Sequence, residues 1–345
     1  MTTWPDVLGT LVAGADLNTD ATSWAMEEIL SGNATPAQIA GFAVALRAKG
    51  ETQAELQGLV DAMYRHATPL PIDGRVVDIV GTGGDRARTV NISTMSAIVI
   101  AGAGVPVVKH GNRAASSASG SADVLEKLGV RLDVPATSIA EVLGAVGITF
   151  CFAPVFHASF RFTGVPRREL GVPTVFNFLG PLTNPARPAA MAVGVADARM
   201  APLMAGVLAG RGADALVFRG DDGLDEITTT TTTKVWIGDP ESGEVNESLV
   251  DPRVLNVTFS TPEALQGGDP AFNAAVVEKV LGGEVSAVRD AVLLNAGAGI
   301  AAHEGGTGDI HERLAAGMRR AEASIDSGAA RQVLDTWVSV TQSLV

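Results

Sequence analysis

The chain has 345 residues, 46 % of them hydrophobic, which is enough for one large and one smaller domain with extensive cores. The net charge of −13, from 25 basic and 38 acidic residues, argues against a nucleic-acid partner, because clustered lysine and arginine supply most of the affinity for phosphate backbones. The single cysteine, the lack of a signal-peptide pattern at the N-terminus and the lack of a long apolar run predict a cytoplasmic protein with no membrane role.

The first 70 residues carry the sequence signals of helix starts. Thr35 is followed by Gln38 at the third helical position, and Thr52 is followed in the same way by Glu55. In this pattern the hydroxyl and the later side chain satisfy each other's free backbone N–H groups. The pattern predicts a helical domain over residues 1–70.

Short β-branched or apolar runs recur after residue 70 and alternate with helical stretches. The strand-like runs cover residues 76–80, 105–108, 148–152, 191–195 and 215–218. Alternation of this kind predicts a mainly parallel central sheet flanked by helices, with ligands at the carboxyl ends of the strands. We therefore expect an α/β fold: a small N-terminal helical domain over 1–70, joined by a later segment near 164–185, and a larger α/β domain over 71–345. The run of threonines at 228–233 predicts a polar strand, and the chain after about residue 260 reads as mostly helical.

A glycine-rich loop follows the first predicted strand. Gly81, Gly83 and Gly84 precede a helix predicted from residue 93, an arrangement in which bare backbone N–H groups and a helix N-terminus can bind phosphate. The loop is not a dinucleotide fingerprint, because Arg86 stands where the third glycine would be, and it lacks the Gly-Lys-Ser/Thr of a Walker A loop. A plain strand-to-helix turn is the alternative.

Two further polar segments favour an anion site. Residues 91–94 place an amide and hydroxyls at the expected helix start, where a simple N-cap is the alternative. Residues 109–113 follow the second predicted strand with two cations, and residues 116–121 add serines and a glycine. Together they predict a second anion cradle, for which a solvated loop is the alternative.

The order and spacing of these segments resemble those of the anthranilate phosphoribosyltransferase family. The matching segments are 78–85, 91–94, 109–125, 167–171, 174–185 and 222–226. The resemblance implies a nucleoside phosphorylase/phosphoribosyltransferase-like fold and magnesium-assisted displacement at ribose C1. In that reaction 5-phosphoribosyl-1-pyrophosphate and anthranilate give N-(5-phosphoribosyl)anthranilate and pyrophosphate, the second step of tryptophan synthesis from chorismate. It also implies a homodimer and two magnesium ions.

The resemblance assigns residues to three roles and none to covalent or obligatory acid–base catalysis. The expected contacts to phosphoribosyl pyrophosphate are Gly81, Gly84, Asp85, Thr89, Asn91, Ile92, Ser93, Thr94, Lys109, His110, Gly111, Asn112, Arg113, Ala114, Ala115, Ser116, Ser117 and Ser121. The expected anthranilate contacts are Gly81, Asn112, His157 and Arg167, and the expected metal contacts are Ser93, Asp225 and Glu226.

Some of these residues also have an interpretation that needs no family. Asp225 and Glu226 alone read as an acidic surface turn, but they follow the predicted strand 215–218 and so belong at the ligand-binding edge of the sheet. Magnesium prefers such hard oxygen ligands, shared with substrate phosphates and water. Arg167 alone reads as a helix-surface charge, although an arginine can bind a carboxylate bidentately.

The chain departs from the family pattern on the acceptor side. Residues 158–159, 163–166 and 173 differ from the usual family sequence, which bears on the aromatic acceptor more than on the donor.

Three other functions each predict a different feature of the protein. A pyrimidine nucleoside phosphorylase would need a Lys-x-Ser-x-Gly-Gly loop, which the sequence lacks; a non-catalytic nucleic-acid-binding relative would need a basic surface; and a scaffold protein would gain no stability from substrate.

Overall fold

The computed structural model describes residues 1–114, 118–306 and 308–344. The chain forms two compact units: Met1–Pro69 with Ala153–Pro185, and Leu70–Phe152 with Ala186–Val345. The later segment of the smaller unit therefore begins at Ala153, before the predicted start near 164, and the larger unit is not one continuous stretch over 71–345.

Helices make up about half of the described chain. In chain order the α-helices are α1 (Trp4–Val12), α2 (Thr19–Leu30), α3 (Pro36–Lys49), α4 (Gln53–His66), α5 (Ile92–Gly102), α6 (Ser121–Lys127), α7 (Ile139–Val146), α8 (Ala153–Phe156), α9 (Gly164–Leu170), α10 (Leu179–Leu182), α11 (Met200–Gly210), α12 (Pro270–Leu281), α13 (Ala287–Glu304), α14 (Ile310–Asp326) and α15 (Ala329–Ser343). Short 3₁₀ segments cover Ala136–Ser138, Ala158–Thr163, Val175–Asn177, Pro252–Leu255 and Pro262–Leu265. None of the helices in the described ranges has the length and apolar character needed to cross a membrane.

The smaller unit is helical, and both predicted helix starts are confirmed. Thr35 and Thr52 cap α3 and α4, each in a reciprocal pair of hydrogen bonds with the side chain three positions later. Glu55, which completes the second pair, is fully buried and also accepts hydrogen bonds from the Leu17 backbone N–H at 2.9 Å and from Lys49 Nζ at 2.8 Å. A buried carboxylate with this many donors ties three segments of the unit together.

The larger unit is built on one sheet of seven strands among the described residues, in the order β3-β2-β1-β4-β5-β6-β7. The strands are β1 (Val77–Gly81), β2 (Val107–Gly111), β3 (Ile148–Phe152), β4 (Ala190–Gly194), β5 (Asp214–Gly220), β6 (Thr233–Gly238) and β7 (Val245–Val250). The pairings from β3 through β5 are parallel, and β6 and β7 are antiparallel additions. The five parallel strands lie where the sequence predicted them, with ends shifted by up to a few residues.

The antiparallel end of the sheet corrects one prediction. Residues 228–232 form a loop rather than a polar strand, and only Thr233 of the threonine run belongs to β6. The threonine hydroxyls form local hydrogen bonds instead: Thr228 Oγ1 donates to Asp222 Oδ2 at 2.7 Å, and the Thr228 backbone N–H donates to Thr233 Oγ1 at 3.1 Å. Hydrogen bonds from side chains to nearby polar groups compete with the backbone hydrogen bonds of a β-sheet. At residues 228–232 the local hydrogen bonds form and the strand does not.

Candidate functional site

The strand order reverses direction around β1, and this reversal positions the site. β1 pairs with β2 on one side and with β4 on the other. In an open α/β sheet, ligands bind in the crevice outside the carboxyl ends of the strands at such a switch point. The carboxyl ends of β1 and β4 are Gly81 and Gly194, which are paired in register.

Both of these glycines are required by the close approach of Asp225. A Cβ atom on Gly194 would lie 1.6 Å from the Asp225 carbonyl oxygen, and one on Gly81 would lie 2.3 Å from Asp225 Oδ2. The sequence therefore ends both strands without side chains, and the acidic turn that follows β5 packs directly over the switch point. Gly194 was not among the predicted site residues, because a glycine at the end of an apolar run looks like an ordinary strand terminus.

Asp225 is tied to the glycine loop. Its Oδ2 accepts a hydrogen bond from the Gly83 backbone N–H at 2.7 Å, and the charge of Asp85 acts on its carboxyl group. Gly83 and Gly84 have φ values of 67° and 89°, the left-handed region that glycine adopts without strain, so the loop can turn toward the acidic residues. The predicted phosphate loop and the predicted acidic pair are thus neighbours.

The carboxyl groups of Asp225 and Glu226 are buried close to each other. Burial, followed by the charge of Asp85, raises the pKa of Asp225 to about 7. Burial also raises the pKa of Glu226 well above its usual range, as do the charges of Asp225 and Asp85, while Lys109 and the Ser93 backbone N–H act in the opposite direction. Crowded carboxyl groups with raised pKa values favour a bound cation, which would offset their mutual repulsion.

Lys109 is a buried lysine whose charge acts on Glu226. Its side chain is 1 % exposed, and Nζ donates to the Ile79 carbonyl oxygen at 2.6 Å and to Ser93 Oγ at 3.3 Å. Burial lowers the pKa of Lys109, and the charges of Asp78 and Glu226 partly offset that effect. Lys109 of the predicted segment 109–113 therefore contacts Ser93 of the predicted segment 91–94.

The start of α5 is held by side chains rather than capped by them. Asn91 makes no side-chain cap; its Nδ2 donates to the Ser119 carbonyl oxygen at 3.0 Å, and its Oδ1 accepts from Asn273 Nδ2 at 2.8 Å. Among the described residues, the buried hydroxyl of Thr94 has no hydrogen-bond partner. Asn91 is thus fixed in place by a side chain of α12 that the sequence analysis missed, since an asparagine in a helix gives no signal of its own.

The remaining donor-side candidates have mixed placements. His110 is buried, and its backbone N–H donates to Asp78 Oδ1 at 3.2 Å. The backbone of Thr89 forms an isolated antiparallel β-bridge with Gln266. Arg113 is directed elsewhere: its guanidinium pairs with Glu126 at 2.5 Å, and it stacks 5.6 Å from the Phe152 ring centroid. An ion-paired arginine is less available to a phosphate than the sequence suggested.

The other predicted positions near Arg113 lie in or beside the loop between β2 and α6. Asp123 Oδ2 accepts the backbone N–H groups of Ala114 and Gly120 at 2.9 and 2.8 Å, which closes the loop between β2 and α6. Ser121 is the first residue of α6, and Gly111 ends β2. The predicted Ala115, Ser116 and Ser117 lie outside the described residues.

The two predicted acceptor residues outside the larger unit belong to the smaller one. His157 is buried, its Nε2 donates to the Thr183 carbonyl oxygen at 2.8 Å, and burial lowers its pKa. Arg167 lies in α9 with its Cζ 5.4 Å from the Phe160 ring centroid, and burial lowers its pKa as well. Arg167 is therefore a partly buried cation on an aromatic ring rather than the freely exposed helix charge of the simpler interpretation.

Comparisons with known proteins decide the family. A model of the glycosyl transferase family, helical bundle domain, matches residues 5–67, and one of the same family's a/b domain matches residues 73–331. An anthranilate phosphoribosyltransferase from a Nocardioides species is 64 % identical over 341 residues, spanning 99 % of this chain and 99 % of that protein. One from an Arthrobacter species is 61 % identical, spanning 99 % of this chain and 96 % of that protein. The chain belongs to the anthranilate phosphoribosyltransferase family.

Solved structures of family members agree in fold. The enzyme from Thermus thermophilus matches with a TM-score of 0.91 at 38 % identity, covering 98 % of this chain and all of that one, 100 %. The Saccharomyces cerevisiae enzyme in complex with PRPP and Mg matches with a TM-score of 0.89 at 26 % identity, covering 99 % and 98 %. The predicted family, the α/β fold class with an N-terminal helical domain, and the prediction of a transferase enzyme are confirmed.

Proposed function

We propose that this chain transfers the phosphoribosyl group of 5-phosphoribosyl-1-pyrophosphate to anthranilate, with magnesium bound by Asp225 and Glu226. The observation that carries the proposal is the meeting of this buried acidic pair with the glycine loop, through the 2.7 Å hydrogen bond from the Gly83 N–H to Asp225. Phosphate-binding backbone and metal-binding carboxylates are the two components that a magnesium pyrophosphate requires.

The oxygen atoms around Glu226 fit magnesium. Asp225, Glu226 and the Ser93 hydroxyl offer hard oxygen ligands, and Lys109 lies between Ser93 and Glu226 in the network. Within the described residues no group of three or more His, Cys, Asp or Glu side chains is arranged to hold a metal by itself. This suits magnesium, which commonly takes one or two carboxylates and completes its shell with substrate phosphates and water. When bound, the ion would neutralise the charge that grows on the departing pyrophosphate.

The donor would lie along the carboxyl ends of β1, β2 and β4. The N–H of Gly83 is taken by Asp225, so the proposed phosphate donors of the glycine loop are the backbone N–H groups that follow it. The Thr94 hydroxyl has its hydrogen-bonding capacity available, and Lys109 supplies a buried positive charge. We also assign to the donor the residues of the sequence-based set that flank these groups. They are Gly81, Gly84, Asp85, Thr89, Asn91, Ile92, Ser93, His110, Gly111, Asn112, Ala114 and Ser121.

The acceptor is assigned through its carboxylate. Arg167 is a partly desolvated guanidinium, and such a group gains from a bidentate carboxylate partner. His157 is held in one orientation by Thr183, and Asn112 and Gly81 complete the proposed acceptor set. The Saccharomyces cerevisiae family member has been solved with 4-fluoroanthranilate, at 26 % identity and a TM-score of 0.86.

The chemistry needs orientation and electrostatics rather than a protein nucleophile. The anthranilate nitrogen forms a bond to ribose C1 while the bond from C1 to the pyrophosphate oxygen breaks, and the amine then releases its proton. Lys109 and the loop N–H groups would stabilise the leaving pyrophosphate, and the protein would hold the two reactants in line. The acidic pair contributes by holding the cation and not by transferring protons.

Pyrophosphate release tests the proposal. The intact chain should release pyrophosphate from the donor with anthranilate and Mg²⁺, far faster than with aniline or 4-aminobenzoate, and EDTA should stop it. Asp225→Asn together with Glu226→Gln should lower kcat by about 10²–10³ or more, the range seen when preorganised electrostatic groups are lost. The matched control is Asp239→Asn with Glu241→Gln, which removes the same charge from the exposed turn between β6 and β7. Normal magnesium-dependent turnover in the Asp225/Glu226 variant would remove the metal assignment.

Two finer parts of the proposal are a pair of magnesium ions and a homodimer. Both are family analogies. Titration of the pyrophosphate-bound chain with Mn²⁺, followed by electron paramagnetic resonance, counts the ions, and one equivalent per chain would contradict the pair. Sedimentation equilibrium measures the dimer, which should give twice the 35.3 kDa of the chain.

A further inference from the structure

Asn295 of α13 forms an unusual contact with the chain next to the acidic pair. Its side chain is fully buried, with 0 % exposure. The Ile227 backbone N–H donates to Asn295 Oδ1 at 3.0 Å, and Asn295 Nδ2 donates to the Ile227 carbonyl oxygen at 2.9 Å. Nδ2 also donates to the Ala291 carbonyl oxygen at 2.9 Å, one turn earlier in α13. One side chain thus satisfies both backbone groups of a single residue and is itself fixed to its helix.

The position of Ile227 gives this contact its meaning. Ile227 directly follows Glu226, so its N–H belongs to the peptide bond that joins these two residues. At the other end of the pair, the Gly220 N–H donates to the Leu224 carbonyl oxygen at 2.9 Å. Asp225 and Glu226 are therefore the two residues between two backbone anchors, one formed by the end of β5 and the other by Asn295.

We propose that Asn295 is a positioning residue, which holds the acidic pair in the orientation needed to bind magnesium pyrophosphate. This inference rests on the proposed function of that pair. A leucine of similar size would fill the same space without burying an amide, and burying an amide is costly unless every polar group is bonded. The amide instead uses its acceptor and one donor on Ile227 and its other donor on Ala291 of its own helix, an arrangement that specifies a single conformation.

Substitution of Asn295 should therefore weaken the magnesium-dependent binding of pyrophosphate more than the accompanying loss of folding stability would explain. Groups that orient metal ligands without touching the metal typically contribute about 10- to 100-fold to metal affinity. Removing Asn295 should leave the carboxyl groups present but free to turn away from each other. Binding of pyrophosphate without magnesium, which depends on the loop N–H groups and Lys109, should change little.

The test is calorimetric titration of the full chain with inorganic pyrophosphate, once with excess Mg²⁺ and once with EDTA. The variants are Asn295→Ala and Asn295→Leu, and the latter fills the same space without an amide if the alanine variant does not fold. Ser324→Ala is the matched control, because it removes another buried hydrogen bond, to the Val99 carbonyl oxygen at 2.9 Å, elsewhere in the larger unit. Asp225→Asn with Glu226→Gln sets the full effect.

The outcomes distinguish the positioning role of Asn295 from the assignment of magnesium to Asp225 and Glu226. We expect the Asn295 variants to weaken magnesium pyrophosphate by about 10- to 100-fold and Ser324→Ala to leave it nearly unchanged. Asn295 variants that match Ser324→Ala, while the Asp225/Glu226 variant loses magnesium-dependent binding, would overturn the role of Asn295 alone. Undiminished magnesium-dependent binding in the Asp225/Glu226 variant would overturn the metal assignment, and the positioning role with it.

Discussion

The candidate residues of the larger unit and those of the smaller unit are held in different ways. In the larger unit, groups from distant parts of the sequence bond to one another, as Gly83 does to Asp225 and Lys109 to Ser93. In the smaller unit, His157 bonds to a backbone carbonyl group and Arg167 lies on an aromatic ring, each within its own surroundings. The donor candidates of the larger unit therefore form one coupled network, whereas the acceptor candidates of the smaller unit act singly. Substitutions should accordingly disturb several properties at once in the first case and one property in the second.

Among the substitutions of single residues, the largest effect should come from one added methyl group at the switch point. In Gly194→Ala the new Cβ would lie 1.6 Å from the Asp225 carbonyl oxygen, so the backbone of the acidic turn must move. Overpacking of this kind costs typically about 1–3 kcal/mol, and more where backbone atoms collide. A misplacement of about 1 Å in a reacting arrangement can cost about 10²-fold in rate. We expect kcat to fall by at least that factor, with a lower urea midpoint.

Gly144→Ala in α7 is the control for that substitution. Nothing lies within 4 Å of the Cβ position at Gly144, and alanine is the better helix former by about 1 kcal/mol. This variant should be fully active and slightly more stable. If Gly194→Ala behaves like Gly144→Ala, the acidic turn is not packed on the strand end as described, and the coupled network of the larger unit loses its foundation.

The intermediate effect should fall on the acceptor alone. Arg167→Ala should raise the KM for anthranilate by about 10- to 100-fold, the equivalent of the roughly 1.5–3 kcal/mol typical of a hydrogen bond to a charged group. Arg167→Lys should recover only part of this, because lysine cannot bind a carboxylate bidentately. The KM for the donor should stay the same in both. The exposed neighbour Arg168→Ala is the control, and a donor KM that rises together with the acceptor KM would show that Arg167 belongs to the coupled network.

The sequence predicted the parallel strands and the loops at their ends because both leave short-range signals. An apolar run followed by glycine marks a buried strand and its turn, and residues 76–80 and 81–84 show this pattern plainly. The antiparallel strands β6 and β7 were missed for different reasons. The apolar run of β6 is only three residues long, 235–237, although most of the strand is buried. The polar and mostly exposed residues of β7 resemble loop sequence. The threonine run was misread because propensity favours a strand while Asp222 offers the hydroxyl groups local partners.

Residues that act through long-range contacts left no comparable signal. Asn295 and Asn273 each lie inside a helix, and only the folded chain brings them to Ile227 and Asn91. The role of Gly194 likewise depends on a residue that lies 31 positions away in the sequence, 225 against 194. The sequence patterns therefore indicate the groups that we propose to contact substrate, but they do not indicate the groups that hold those residues in place.

The smallest effect should be a change in pH dependence confined to the smaller unit. Burial lowers the pKa of His157 in the folded chain, so the unfolded chain binds the proton more tightly. Its contribution to stability is therefore complete above the unfolded pKa of about 6.5 and is lost as the pH falls through the folded value. His157→Gln keeps a donor for the Thr183 carbonyl oxygen but cannot titrate. Hydrogen exchange of peptides from 153–185 should accelerate less in this variant than in the parent chain between pH 7.5 and 5, after correction for intrinsic rates. Equal acceleration in both chains would mean that burial of the neutral His157 ring does not contribute to the acid sensitivity of this unit.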